Sequence, residues 1–231
     1  MKKHIPNMIT CYNLISGCIA TYYAFQADYL IALAFIIIGA VFDFFDGMTA
    51  RLLGVSSPIG KELDSLADVV TFGFAPSAIL FSWLSAQHIH TVVVPFLAFI
   101  MAAFSALRLA KFNLDERQAM GFIGLPTPAN ALFWGALIVG THRWLDQLPG
   151  GVLTLIIMMF FSCYLLVSEI PMFALKFKHW GWKGNEVRYL FLLSCLPLLL
   201  FFGITGIAVI IAWYICLSVV TQRLKINNEQ Q

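Results

Sequence analysis

The chain has 231 residues, 60% hydrophobic and only 11% charged, with 14 lysines and arginines against 12 acids and a net charge of +2. Its mean hydropathy is +0.84, whereas an ordinary soluble domain is roughly 25% charged. Apolar blocks of about 17–25 residues are long enough to cross a hydrocarbon core of roughly 30 Å as helices, which excludes a soluble enzyme, a nucleic-acid binder and a secreted disulfide scaffold.

The expected fold is all-α, a polytopic transmembrane helical bundle of about eight spans. The start Met1-Lys2-Lys3-His4 mimics the charged start of a signal peptide. Pro6 to Asn13 is too polar for a targeting segment and no small-residue cleavage site follows, so it reads as the retained beginning of helix one. Spans are expected at about Ile9–Phe25, Tyr29–Leu53, Gly60–Ser85, Thr91–Phe112, Ala129–Trp144, Val152–Leu175, Tyr189–Phe202 and Ile204–Val220. Turns fall at Gln26-Ala27-Asp28, at Gly54–Pro58, and at the charged stretch Asn113–Gln118 leading to Gly121 and Pro126/Pro128. The polar segment Lys176–Arg188 precedes the last two spans, which Gly203 joins.

An N-in, C-in orientation puts thirteen of the fourteen bases on the cytoplasmic side. They are Lys2, Lys3, Arg51, Lys61, Arg108, Lys111, Arg117, Lys176, Lys178, Lys183, Arg188, Arg223 and Lys225, and only Arg143 stays outside. No repeats or low-complexity tracts divide the chain, so residues 1–231 read as one domain. Cys11, Cys18, Cys163, Cys195 and Cys216 all sit in apolar stretches without a CxxC or Cys/His grouping. They read as small buried hydrophobes.

Asp43, Asp46, Asp64 and Asp68 stand at the facing ends of spans two and three. Carboxylates at membrane depth are costly and mark functional sites. The i,i+3 and i,i+4 spacings put each pair on one helical face, and the short loop makes the two helices antiparallel neighbours. Four carboxylates then converge on one pocket, where their mutual repulsion asks for hard divalent cations: magnesium, manganese or calcium rather than zinc. Gly47 and Ala50 share a face with Asp43 and Asp46, and Gly60 stands one turn before Asp64, leaving room for a ligand. Arg51, one turn after Gly47, can hold an anion. Metals, a cation and small residues around a gap suit a pyrophosphate. The bland alternative is a set of capping or interfacial aspartates paired with Arg51 and Lys61.

The string Asp43-x2-Asp46-Gly47-x2-Ala50-Arg51-x8-Gly60-x3-Asp64-x3-Asp68 resembles the signature of CDP-alcohol phosphotransferases at each of its eight fixed positions. The resemblance implies two divalent ions, Mg2+ or Mn2+, with Ca2+ as an inhibitory occupant. Asp43, Asp46 and Asp64 would bind one ion. Asp43, Asp64 and Asp68 would bind the other, with Asp68 as the base that activates the acceptor alcohol. Gly47, Ala50, Arg51 and Gly60 would contact the CDP moiety. Asn7 and Thr10 either face the cytidine, as similar positions do in the family, or cap helix one. Crowding and burial would raise the basicity of Asp68 and a bound metal would lower it, and the sequence leaves the balance open.

Three further stretches resemble the phosphatidylserine synthase branch of that family: Ile5–Thr10, Leu63–Pro76, and Leu107–Asn113 followed by Phe122–Pro128. Eight spans also resemble that branch, with the last two, about 189–220, as a branch-specific addition. The implied partners are CDP-diacylglycerol, L-serine and CMP, with membrane lipids around a homodimer. The implied setting is a multi-pass membrane protein with its site at the cytoplasmic face, in the inner membrane if bacterial. A zwitterionic acceptor needs a cation for its carboxylate and acceptors for its ammonium. Arg108, Lys111 and Asn113 stand level with the aspartates, either for that purpose or, for the two bases, as interfacial anchors. Glu169, just before Pro171, reads as a helix-packing residue more readily than a catalytic one. His88, His90 and His142 fall on the far side, and His179 among Lys176, Lys178 and Trp180 reads as interfacial. Two rivals remain: another acceptor, glycerol phosphate or an inositol phosphate, and a cation transporter whose ion site is the aspartate cluster.

Overall fold

The computed structural model describes residues 4–55, 57–87, 91–115, 122–173, 181–182 and 185–229, with the backbone alone for 223–229. Lys2, Lys3, His88, His90, Arg117, Gln118, Gly121, Lys176, Lys178, His179, Trp180 and Lys183 lie outside the described residues, as do the side chains of Arg223 and Lys225.

The described residues form nine α-helices: α1 His4–Phe25, α2 Tyr29–Leu52, α3 Pro58–Asp68, α4 Ala75–Ala86, α5 Phe99–Leu114, α6 Thr127–Leu145, α7 Gly151–Val167, α8 Glu186–Phe202 and α9 Thr205–Glu229. A π-helical stretch, Val69–Phe74, joins α3 to α4 in one rod, and the 3-10 turn Val94–Ala98 leads into α5. Counted as rods, these are eight, following in order the eight expected spans. Four stretches are long and apolar enough to cross a membrane: Tyr29–Leu52, Pro58–Ala86, Val94–Leu114 and Thr205–Gln222. Gly151–Val167 is a shorter apolar helix.

Local chemistry sets the ends. Asp28 caps α2 by accepting from the Ile31 N–H, and Ser57 caps α3 by accepting from the Gly60 N–H at 2.9 Å, with Pro58 in the first turn. The π stretch also has a cause. Pro76 lacks an N–H to give the Phe72 carbonyl and its ring crowds that position, so the α ladder cannot run through it. An extra residue is taken up there instead.

One expected boundary is corrected. The sixth span was read as Val152–Leu175, but α7 stops at Val167. Pro171 disfavours helix in the residue before it, and the chain turns into a two-residue strand, β2 (Pro171–Met172). It pairs antiparallel with β1 (Phe122–Ile123), Phe122 opposite Met172 and Ile123 opposite Pro171.

Trp83, Trp134, Phe72, Ile36, Ile79 and Met101 fill the main core between α1, α2, α4, α5 and α6. A smaller one, with Leu125, Leu165, Met172, Phe191 and Tyr214, joins the β1–β2 pair to α8 and α9. The outward faces are just as apolar: Leu200 and Phe201 of α8 are 77% and 84% exposed. Such a surface would aggregate in water and is at home in lipid.

Candidate active site

The register of α1 against α3 positions the site. Gly17 of α1 and Gly39 of α2 both press on Thr71 in the π stretch. A Cβ at Gly39 would stand 2.5 Å from Thr71 Cγ2, and one at Gly17 would overlap Thr71 outright. Thr71 Oγ1 donates to the Asn13 carbonyl at 3.0 Å. With α1, α2 and the π stretch locked there, Asp68 stands opposite Asn13, and Gly60 opposite Asn7.

Asp43 from α2 and Asp64 and Asp68 from α3 each offer a carboxylate oxygen, and these oxygens lie within 4.8 Å of one another. Asp46 stands at the edge of this trio, buried, accepting from Thr10 Oγ1 at 2.6 Å. Like charges so close repel strongly where water is scarce. Moreover, Asp64 Oδ1 is buried and has no hydrogen-bond partner in the protein. An all-oxygen, multiply anionic set with an orphaned buried oxygen fits a hard divalent cation.

An open cavity of about 250 Å³ lies beside the carboxylates, and its walls include Asn7, Thr10, Asp46, Gly47, Gly60 and Asp64. Ala50 lines it too. A Cβ built on Gly47 would make only an ordinary contact, 3.8 Å from Arg51 Nη2, so there is room for a methyl on this wall of the cavity. A Cβ on Gly60 would meet Ser57 Oγ at 3.0 Å and Asn7 Oδ1 at 3.1 Å. Arg51 folds back to donate from Nε to the Gly47 carbonyl at 2.9 Å. It is exposed, at the rim rather than in the wall. The structure therefore gathers Asn7, Thr10, Asp46, Gly47, Ala50, Gly60 and Asp64 around one cavity, with Asp43 and Asp68 behind it.

A second cavity, of about 410 Å³, opens at the end of α5, with Arg108, Lys111, Asp115, Ile123, Ser168 and Glu169 among its walls. Arg108 is 6% exposed, stacks over the Phe112 ring at 5.0 Å, and leaves its buried Nε and Nη2 without partners. It interacts electrostatically with Asp68 and with Tyr214 of α9. Asn113 is not brought to this cavity. Its Nδ2 donates to Ser65 Oγ at 2.7 Å and its carbonyl accepts from Lys61 Nζ at 2.8 Å, fastening α5 to α3. Glu169 differs from its sequence reading as well. It lies just beyond the end of α7, as an exposed wall of the Arg108 cavity.

Sequence reasoning missed Asn13, which is fully buried and donates from Nδ2 to Asp68 Oδ1 at 3.1 Å. The signal was there: Asn7, Thr10 and Asn13 recur every three residues, a polar stripe on an otherwise apolar helix. His142 lies at the opposite rim, edge-on to the ring of Tyr29, and there Asp146 accepts from Trp83 and Gln87.

The comparisons with known proteins agree with this geometry. Residues 3–180 match the family described as CDP-alcohol phosphatidyltransferase, so α8 and α9 lie beyond the match. A relative from Bacillus subtilis (strain 168), named CDP-diacylglycerol–serine O-phosphatidyltransferase, is 40% identical over 130 residues, 54% of this chain and 70% of the relative. One of the same name from Methanocaldococcus jannaschii is 34% identical over 167 residues, 72% of each chain. Another from Helicobacter pylori (strain J99) is 34% identical over 129 residues, 55% of this chain and 54% of the relative. The chain thus spans between about half and three quarters of the length of these relatives. On the match over most of its length, and with the aspartates of the signature gathered at one site, the chain belongs to the CDP-alcohol phosphatidyltransferase family, in the branch of the relatives named CDP-diacylglycerol–serine O-phosphatidyltransferase.

Proposed function

We propose that this protein transfers the phosphatidyl group of CDP-diacylglycerol to the hydroxyl of L-serine, giving phosphatidylserine and CMP. The observation that carries the choice of acceptor is Arg108. It is a buried guanidinium with two unpartnered N–H-bearing nitrogens, beside Lys111 and electrostatically linked to Asp68, suited to an acceptor's carboxylate next to the reacting carboxyl group.

The residues present fit two divalent ions, Mg2+ or Mn2+. Asp43, Asp46 and Asp64 would hold one, and Asp43, Asp64 and Asp68 the other. When bound, such ions neutralise the pyrophosphate and the charge that develops on the departing CMP. The chain's own groups do the rest. Gly47, Ala50 and Gly60 leave room for the CDP moiety, Arg51 stands at the rim beside it, and Asn7 and Thr10 border the same space. Asn13 donates to Asp68 Oδ1 and holds that carboxylate in place, and Asp68 would take the serine hydroxyl proton. The serine oxygen bonds to the lipid-side phosphorus as the phosphoanhydride P–O bond breaks, and CMP departs with that electron pair.

In this reading the soluble substrates use the cytoplasmic face, with both termini on that side, while the lipid enters sideways from the bilayer. The last two helices are an addition proper to the branch. Membership of the family removes the motive for a cation transporter. Purified protein in detergent, given CDP-diacylglycerol, Mg2+ or Mn2+ and one alcohol at a time, tests the proposal by CMP release. Serine-dependent CMP is expected, with little from glycerol phosphate or an inositol phosphate. Release with a phosphorylated alcohol and none with serine would overturn the acceptor.

A further inference from the structure

A further cavity, of about 550 Å³, lies between α6, α7 and α9. The helices α6 and α9 cross closely where Gly140 abuts Thr205, so closely that a Cβ on Gly140 would overlap Thr205 Oγ1. Toward the other end of both helices the space between them opens, walled by Leu125, Phe133, Leu165, Ile215 and Val219. Phe161 and Val220 on its edge are 60% and 53% exposed, as suits a mouth that faces hydrocarbon. Its volume falls within the roughly 300–1,000 Å³ of a site for one small ligand. One of its sides, α9, lies beyond the stretch that matches the family.

Its polar walls are Ser162, Cys216 and Asn130. Ser162 is committed: its Oγ accepts from Trp134 Nε1 and donates to the Met159 carbonyl, both at 3.0 Å. Cys216 stands exposed at the mouth. Asn130 differs from both. It is fully buried, and neither its Nδ2 nor its Oδ1 has a hydrogen-bond partner. An amide left unpaired among apolar groups is costly, and hydrocarbon supplies no water to relieve it. A ligand that carries an acceptor at the head of an apolar chain removes part of that cost.

The cavity also backs onto the reaction site. Gly124 N–H donates to the Ile170 carbonyl and Leu125 N–H to the Leu165 carbonyl, both at 2.9 Å. Leu125 and Leu165 wall the apolar cavity, whereas Ile123 and Leu166 wall the Arg108 cavity, so one layer of chain divides the two. On α9, Tyr214 stands between the wall residues Ala212 and Ile215 and interacts electrostatically with Arg108, which does the same with Asp68.

We infer that this cavity takes one acyl chain of CDP-diacylglycerol, with Asn130 Nδ2 donating to the ester carbonyl at the head of that chain. The inference rests on the donor lipid proposed above and extends it, because it assigns a place to a tail that the signature residues do not hold. A diacyl lipid brings carbonyl acceptors and no donors, so Nδ2 is the atom it serves. The apolar walls take the methylenes below the ester, and α9 closes the side that α6 and α7 leave open.

The test is serine-dependent CMP release in detergent micelles, with dioleoyl or dihexanoyl CDP-diacylglycerol as donor, by wild type, Asn130→Leu and Cys216→Trp. Asn130→Leu is expected to raise KM for the dioleoyl lipid about fivefold, the loss of one hydrogen bond, with KM for serine within about twofold of wild type. Cys216→Trp fills the mouth of the cavity. It should raise KM for the dioleoyl lipid severalfold and for the dihexanoyl lipid far less, since short chains leave most of the cavity unfilled. A CDP-diacylglycerol carrying a photoactivatable diazirine in one chain should label the stretches of α7 and α9 that wall the cavity. Equal effects of Cys216→Trp on the two lipids, or labelling confined to other helices, would leave the cavity to bulk lipid and overturn the inference while the serine reaction stands. Wild type that releases no CMP from CDP-diacylglycerol with any alcohol would overturn that reading and this inference together.

Discussion

Asn13 Nδ2 donates to Asp68 Oδ1 at 3.1 Å, joining the first helix to the last carboxylate of the signature. The amide is fully buried, and its backbone carbonyl is itself held by Thr71 Oγ1 at 3.0 Å. The bond holds the Asp68 carboxylate against the first helix. Asn13→Ala is expected to lower kcat by about 10–100-fold, the usual cost of losing a partner that orients a ligating or catalytic group. KM for CDP-diacylglycerol stays close to wild type, because Asn13 is not part of the wall of the signature cavity. A rise in that KM with kcat intact would assign Asn13 to nucleotide binding instead.

Asp64, like Asp43, is common to both proposed ion sites, and its Oδ1 is buried without a protein partner. Asp64→Asn keeps the shape and removes the charge. It is expected to abolish CMP release and to weaken Mn2+ binding, read directly by paramagnetic resonance of free Mn2+, by at least about tenfold. Chelation of wild type with EDTA should silence it equally. Mg2+ or Mn2+ then restores turnover and Ca2+ does not. Retained turnover in Asp64→Asn would contradict the shared position.

Gly47 and Gly60 line the same cavity but differ in what surrounds them. A methyl on Gly47 touches no protein atom within 3.8 Å, whereas one on Gly60 meets Ser57 Oγ and Asn7 Oδ1 at 3.0 and 3.1 Å. Gly47→Ala should leave thermal stability unchanged in detergent and still raise KM for CDP-diacylglycerol severalfold, since the methyl occupies ligand space. Gly60→Ala should do both kinds of damage, with about 1 kcal/mol lost through disturbance of the Ser57 cap. Equal stability losses in both variants would contradict the room for a methyl at Gly47.

The aspartates were legible because i,i+3 and i,i+4 spacings in apolar surroundings leave one helical face for each pair, and a short loop leaves one way to bring the helices together. The eight rods were legible because hydrophobic blocks and their breakers are local. What was not legible depended on contacts between segments distant in sequence. Asn13 belongs to a visible polar stripe, but only the α1–α3 register, set by Gly17, Gly39 and Thr71, reveals that it meets Asp68. Glu169 looked like part of a helix because the apolar run continues past it, and Pro171 with the β1–β2 pairing overrode that run. Asn113 carried the right chemistry for an acceptor site, yet its amide is committed to Ser65.

Gly124 offers a test that separates the two halves of the site. It lies on none of the walls of the CDP cavity, and its φ of +75° is one that a residue with a Cβ adopts only with strain. Gly124→Ala drives the Cβ toward the Leu166 and Ser168 carbonyls, so the chain must separate there, loosening the bonds to Ile170 and Leu165 that hold this wall of the Arg108 cavity. The aspartates, fastened through α1 and the π stretch, are not connected to that movement. The expected outcome is a severalfold higher KM for serine, with Mn2+ binding and KM for CDP-diacylglycerol near wild type. An unchanged KM for serine would mean that the β1–β2 pair serves stability alone.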